Sequence, residues 1–213
     1  MSACSTPPDA ARASSDVLRV SAVLVAAGRS SRMGATKALL PWRGTTLIEY
    51  QLAQLAAPDE VTEILVVTGY DADEIEPLVA PAPKARAVRN DAWESGKVSS
   101  VLAGLRALSP GCDAILLFAV DQPRLVAVLR ALLDEHARVR PPITLPVFEG
   151  RRGHPLIFDR ALLPELLAVH EDTLGVRAVV ARHAAEVREM RSDDPAVLLD
   201  INTPADLERA ASG

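Results

Sequence analysis

Residues 17–27 (VLRVSAVLVAA) form a run of aliphatic and β-branched side chains that stops at Gly28. Such a run, lacking the alternation of a half-exposed strand, belongs in a sheet covered on both faces. It is far shorter than the roughly 20 apolar residues needed to cross a bilayer. Downstream, Leu47, Ile48, Leu52 and Leu55 recur at helical spacing over 46–57, and residues 61–68 (VTEILVVT) read as a strand. A short helix over 72–79, a weak strand over 85–89, a helix over 99–108, a strand over 114–120 and a helix over 124–138 continue the series. Strands alternating with helices at this pitch mean parallel βαβ units with right-handed crossovers.

The second half is less regular. Short strands over 143–147 and 156–158 flank the loop 149–155, helices are expected over 160–169 and 175–183, strands over 186–190 and 197–201, and a closing helix over 203–211. The pattern predicts an α/β fold, three-layered and Rossmann-like, with a mostly parallel sheet and a small inserted β lobe around residues 141–158. Ligands of such sheets sit beyond the carboxyl ends of the strands.

At 213 residues, against roughly 150 per domain, the expectation is one domain over 17–213 behind a Ser/Ala/Pro-rich tail, 1–16, that has no secretory apolar core. The 23 basic residues are outweighed by 28 acidic ones and form no consecutive block, which argues against a nucleic-acid duplex as partner. Cys4 and Cys112 are far apart and have no zinc-spaced histidine nearby. A reducing, cytoplasmic setting without membrane association is the expectation.

The loop after the first strand, Ala26-Ala27-Gly28-Arg29-Ser30-Ser31-Arg32-Met33-Gly34-Ala35-Thr36-Lys37, concentrates glycines, serines and cations at the ligand edge. Backbone amides freed at the glycines, with Arg and Lys heads around them, suit a polyphosphate, although a basic surface turn has the same composition. Lys37 is one of only three lysines. Neither the P-loop pattern nor the dinucleotide Gly-x-Gly-x-x-Gly fingerprint is present. Asp121 ends an apolar run and is followed by Pro123, so it reads either as a carboxylate at a strand tip or as a helix cap. Asn202 and Thr203 read as the cap of the last helix, and Ser99 and Ser100 as a helix start. Trp93 beside Leu-rich helices reads most simply as core. His154 is held extended by Pro155, whereas His136, His170 and His183 fall on helix patterns and read as surface.

The loop resembles the signature of nucleotidyltransferases, Leu-x-Ala-Gly/Ala-Gly-x-Ser-x-Arg-Met-Gly-x-x-Lys, and the likeness extends through Leu39-Leu40-Pro41 and Gly44. Asn90-x-x-Trp93-x-x-Gly96-x-x-Ser99-Ser100, Asp121-Gln122-Pro123, Arg152-Gly153-His154-Pro155 and Asp200-Ile201-Asn202-Thr203-Pro204 with Asp206 are similar to further motifs of one branch. That branch is the MobA-like NTP transferase family, and within it the molybdenum cofactor cytidylyltransferases. The resemblance runs from about Arg19 to Glu208, departing at Ala119-Val120 and at Lys97-Val98.

It implies a nucleotide-diphospho-sugar transferase type of fold and Mg²⁺-dependent transfer of CMP from CTP to molybdopterin, with pyrophosphate leaving. Asp121 and Asp200 are then the metal ligands. Lys37 holds the α-phosphate and the acceptor, and Arg32 with the amides from Gly28 to Gly34, Arg29 and Ser30 among them, holds the leaving pyrophosphate. Ala26, Ala27, Asn90, Gly96 and Ser100 line the base, while Trp93 and His154 face the acceptor. The guanylyl branch has Gly where this chain has Ala27, so the added methyl points to CTP over GTP. A molybdenum hydroxylase is the implied client. The readings weighed against this are transfer to a sugar or polyol phosphate, use of GTP, an oxidoreductase of the same family, and a non-catalytic cofactor carrier.

Overall fold

The structure, a computed structural model, describes residues 17–31 and 33–211. The tail 1–16 expected from sequence lies outside them. The chain starts with β1 (Val20–Val25), makes a ribbon of β2 (Pro41–Trp42) and β3 (Thr45–Thr46), and enters α1 (Leu47–Ala56). Next come β4 (Val61–Thr68), α2 (Ala72–Val79), β5 (Ala85–Arg89), α3 (Lys97–Arg106), β6 (Ala114–Ala119) and α4 (Val126–Val139). β7 (Ile143–Phe148), β8 (Arg151–Arg152), β9 (Leu156–Asp159), α5 (Leu163–Leu167), α6 (Val176–Arg182), β10 (Val187–Arg191) and α7 (Pro204–Ala211) follow. The main sheet has the order β10-β7-β9-β6-β1-β4-β5, with β8 paired to β7. Among the described residues, no helix is long and apolar enough to cross a membrane.

β1 lies between β4 and β6 and is parallel to both. Its side chains alternate between two cores. Val20, Ala22 and Leu24 pack with Leu52 of α1, Ile75 of α2 and Leu129 of α4, while Val23 packs with Leu105 of α3, Leu166 of α5 and Val179 of α6. Helices on both faces make the three layers that the apolar run of β1 requires. α1 begins with a capping box in which Thr46 and Glu49 satisfy each other's backbone amides. α3 lies so close to the sheet that a Cβ on Gly104 would meet Val23 Cγ1 at 2.4 Å.

Four expectations need correction. The β-rich segment around residues 141–158 is no separate lobe: β9 pairs antiparallel with β6 and β7, extending the main sheet. Without β9, the buried β6 would present an unpaired backbone edge. Residues 197–201 are not a strand. A 3-10 turn, Pro195–Leu198, opens there on the Asp194 side chain, and the carbonyls of Val197 and Leu199 accept from Arg124 instead of from a neighbouring strand. α4 starts at Val126 rather than 124, because Arg124 turns into the interior while Gln54 Oε1 accepts from the Val126 amide. His136 is fully buried rather than on the surface, its Nδ1 2.8 Å from Thr144 Oγ1 of β7.

Candidate active site

The carboxyl ends of β1 and β6 open into a cavity of about 460 Å³, walled on one side by the loop after β1 and on the other by the start of α3. The loop is bent by two residues with left-handed backbone, Ser30 at φ 56° and Gly34 at φ 68°. Only the glycine takes that conformation without steric cost. Ser30 ties the bend together: its carbonyl accepts from Met33 N at 2.8 Å and its Oγ from Lys37 N at 3.2 Å. Ala26, Ala27, Gly28, Arg29, Ser30 and Lys37 all line the cavity.

At the head of the cavity the Lys37 ammonium donates to Asp121 Oδ2 at 2.6 Å and to Asn202 Oδ1 at 2.9 Å. The three residues come from the loop after β1, the tip of β6 and the turn before α7. That last turn is capped by Asp206, whose Oδ2 accepts from the amides of Asn202 and Thr203 and from the Thr203 hydroxyl. These contacts hold the Asp206 carboxyl below the usual carboxylate range. Of the two residues read as the cap, Thr203 caps α7, its Oγ1 accepting from Asp206 N at 3.3 Å, while Asn202 reaches the site instead. Asp200 does not line the cavity. It is exposed, and its Oδ1 accepts from Gln122 Nε2 at 2.7 Å, one residue beyond Asp121.

On the α3 side, Gly96, Ser100 and Trp93 line the same cavity as the loop. Asn90 lies behind it, 7% exposed, with its Nδ2 donating to Ser99 Oγ at 2.9 Å and Ser100 Oγ at 3.0 Å. Since the Ser100 oxygen accepts from Asn90, its own proton is left to donate into the cavity. Trp93 packs on Gly69, where a Cβ would lie 2.6 Å from Trp93 Cβ and 2.8 Å from the Ala27 carbonyl. Tyr70 meets Trp93 edge-on at 5.4 Å, and the Arg29 guanidinium lies over the Tyr70 ring at 5.6 Å. Trp93 thus forms the wall facing Ala27. Gly96, at φ 121°, leaves room for the Glu171 carboxylate, which accepts from the amides of Lys97 and Val98.

Two other expected residues stand apart. Gly34 shapes the loop without lining the cavity. His154 belongs to the segment behind Asp200, where its amide donates to the Val197 carbonyl at 2.9 Å. Burial holds its imidazole below the usual histidine range, with Asp200 acting the other way. Arg32 lies outside the described residues. The sequence reading missed Arg124, whose guanidinium is 1% exposed beside the site, and the signal available was an arginine directly after Pro123 where the chain turns inward.

The donors present suit a hard divalent cation, which takes carboxylate and amide oxygens and completes its shell with phosphate and water. Asp121 and Asn202 already converge on a positive charge, the Lys37 ammonium, and Asp200 stands next to them through Gln122.

Comparison with known proteins bears on the family. The chain is 32% identical to nicotine blue oxidoreductase of Paenarthrobacter nicotinovorans, over 91% of its own length and 97% of that protein's. It is 25% identical to the molybdenum cofactor cytidylyltransferase of Escherichia coli (88% and 93% covered) and 30% identical to the molybdenum cofactor guanylyltransferase of Sinorhizobium fredii (92% of each). A solved protein of Mycobacterium tuberculosis superposes with a TM-score of 0.77 at 28% identity, covering 93% of this chain and 100% of that one. A structure of that protein in complex with manganese superposes with a TM-score of 0.72 at 26% identity, covering 92% and 99%. The family model of the MobA-like NTP transferase domain matches residues 22–187. With that family model spanning most of its length and a relative 32% identical over 91% of it, the chain belongs to the MobA-like NTP transferase family.

Proposed function

We propose that this nucleotidyltransferase moves CMP from CTP to the phosphate of a molybdopterin-type acceptor. An acceptor phosphate oxygen attacks the α-phosphorus of CTP, the bond from that phosphorus to the bridging oxygen breaks, and pyrophosphate leaves with the electron pair. No protein nucleophile is needed, and positioning with charge stabilisation supplies the catalysis. The observation that carries this reading is the Lys37 ammonium at the junction of the phosphate loop, Asp121 and Asn202.

Lys37 would hold the α-phosphate and the incoming anionic acceptor together. The amides of the loop from Gly28, with Arg29, Ser30 and Arg32, take the β- and γ-phosphates. Asp121, with Asp200 beside it, would hold Mg²⁺, which when bound neutralises charge on the triphosphate oxygens. For the base, the buried Ala27 methyl and the Ser100 hydroxyl favour a pyrimidine. One methyl discriminates by only about 1–3 kcal/mol. His154 and the segment around it would face the acceptor. Molybdenum hydroxylases are the clients that such a product would serve, in the cytoplasm.

The test is pyrophosphate release with Mg²⁺, molybdopterin and each of the four ribonucleoside triphosphates. Release with CTP is expected, whereas release with GTP alone would overturn the base assignment. The relative named as an oxidoreductase favours a second reading, hydride transfer. Oxidation of NADH or NADPH without any pyrophosphate release would favour it over nucleotidyl transfer.

A further inference from the structure

Arg124 is the largest fully buried side chain of the described residues and makes no ion pair among them. All five of its N–H donors go to backbone carbonyls instead. Nε donates to His154 O at 2.9 Å, Nη1 to Pro123 O at 2.9 Å and Leu199 O at 3.1 Å, and Nη2 to Val197 O at 3.0 Å and Leu199 O at 3.1 Å. Three separate stretches of chain meet at this one group. The first is its own loop, which carries Asp121. The second carries His154, and the third runs directly into Asp200 and Asn202. The same stretches are cross-tied by His154 N to Val197 O at 2.9 Å and by Ile201 N to Asp121 O at 2.8 Å.

We propose that Arg124 is the positioning residue of the acidic half of the site, its guanidinium binding the His154, Val197 and Leu199 carbonyls into one unit and so setting Asp200 and Asn202 beside Asp121. Burying a charge this deeply costs desolvation and is tolerated only where its donors are satisfied, as all five are here. Burial lowers its pKa to about 10, so at neutral pH the cation persists, and Asp200, Asp194 and Asp121 act to retain its proton. Among the described residues the loop 26–37 gives Arg124 no hydrogen bond and joins its unit through Lys37, which donates to Asp121 and Asn202. Arg124 therefore acts on the metal half of the site, and the amides of the loop keep their own triphosphate contacts. The inference rests on the metal-dependent transfer reading above.

Mn²⁺ binding to the full chain, followed by the electron paramagnetic resonance of the free ion, separates positioning from simple charge. Loss of an outer-shell partner typically weakens metal binding 10- to 100-fold. Arg124→Lys keeps the charge but offers three donors in the wrong geometry, and it is expected to weaken Mn²⁺ at least tenfold while metal-free CTP binding changes less than twofold. Arg124→Met is expected to weaken Mn²⁺ at least as much. Arg130→Met, which removes an exposed arginine-to-carbonyl bond to Ala57, should leave it unchanged. Unchanged Mn²⁺ affinity in the Lys variant with tighter binding in the Met variant would mean that only charge matters and would overturn the inference.

Hydrogen exchange of the wild-type protein is independent of whether the variants fold. The amides of 153–154 and 197–201 should open at one common rate, and unrelated rates would overturn the proposal. Absence of Mn²⁺ binding to the wild type would instead overturn the transfer reading itself.

Discussion

Two oxygens grip the Lys37 ammonium, one charged and one neutral, at 2.6 Å and 2.9 Å. In the proposed transfer, a triphosphate would offer the same ammonium several competing oxyanions, letting the lysine pass from a structural contact to the reacting phosphate without a change of backbone. Removing one preorganised donor of this kind commonly costs about 10²–10³ in turnover. Lys37→Ala is therefore expected to lower the rate of pyrophosphate release at least about a hundredfold with its circular dichroism unchanged, and near-normal turnover would remove Lys37 from the mechanism. Ala27→Gly addresses base choice at the same scale. Trimming that buried methyl should raise the GTP-to-CTP ratio of kcat/KM by roughly tenfold, within the range one methyl can supply. An unmoved ratio would show that the methyl does not face the base. Lys37, Asp121, Ala27 and Ser100 were all legible in the sequence because motif spacing carries them. Asn90 was legible by position only; its amide is spent on Ser99 and Ser100, a contact that no spacing encodes.

Among the elements, α3 does the most to place the site, since Gly96 and Ser100 at its start line the cavity and Gly104 further along seats it on the sheet. A methyl at Gly104 would fall 2.4 Å from Val23 Cγ1 and 2.9 Å from Val67 Cγ2, two stiff β-branched side chains in the core. Overpacking of this type costs about 1–3 kcal/mol. Gly104→Ala is thus expected to lower the urea midpoint by that equivalent and, by lifting α3, to raise KM for the nucleotide. A loss of stability with KM unmoved would mean that the helix start is anchored independently of its seat. The bounds of β4, α2 and β5 match the apolar periodicity of the sequence, which reports local burial. The segment 197–201 was misread for the same reason: Val197 and Ile201 are buried as a strand's apolar residues would be, but Arg124 claims the carbonyls of Val197 and Leu199 from 73 and 75 positions away.

For the molecule as a whole, two histidines set opposite limbs of the stability profile. Burial keeps His136 neutral, lowering its pKa from 6.5 to about 4, with Asp159 opposing and Arg140 assisting. The unfolded chain takes up that proton first, so this contribution is complete above about pH 6.5 and is lost as pH falls toward 4, roughly 3 kcal/mol in all. His183, hydrogen-bonded to Glu165 and Glu186, has its pKa raised, so its smaller contribution is present below about pH 6.5 and lost as pH rises through the folded value. Urea unfolding between pH 4.5 and 8.5 should show the acid limb flattened in His136→Gln, and an unaltered slope would assign that limb to other groups.

The sequence by itself determined the alternation of strands and helices, the bent glycine- and cation-rich loop after β1 and the strand-tip aspartate, because each depends on neighbours within a few residues or on a motif of set spacing. Only the tertiary structure decided that β9 closes the edge of β6, that His136 is buried, and that Arg124 gathers the chain around Asp121, His154 and Asp200. Those are satisfactions of backbone and polar groups by residues distant in sequence. A buried donor takes whichever acceptor the fold brings near, and that pairing exists only once the chain has closed on itself.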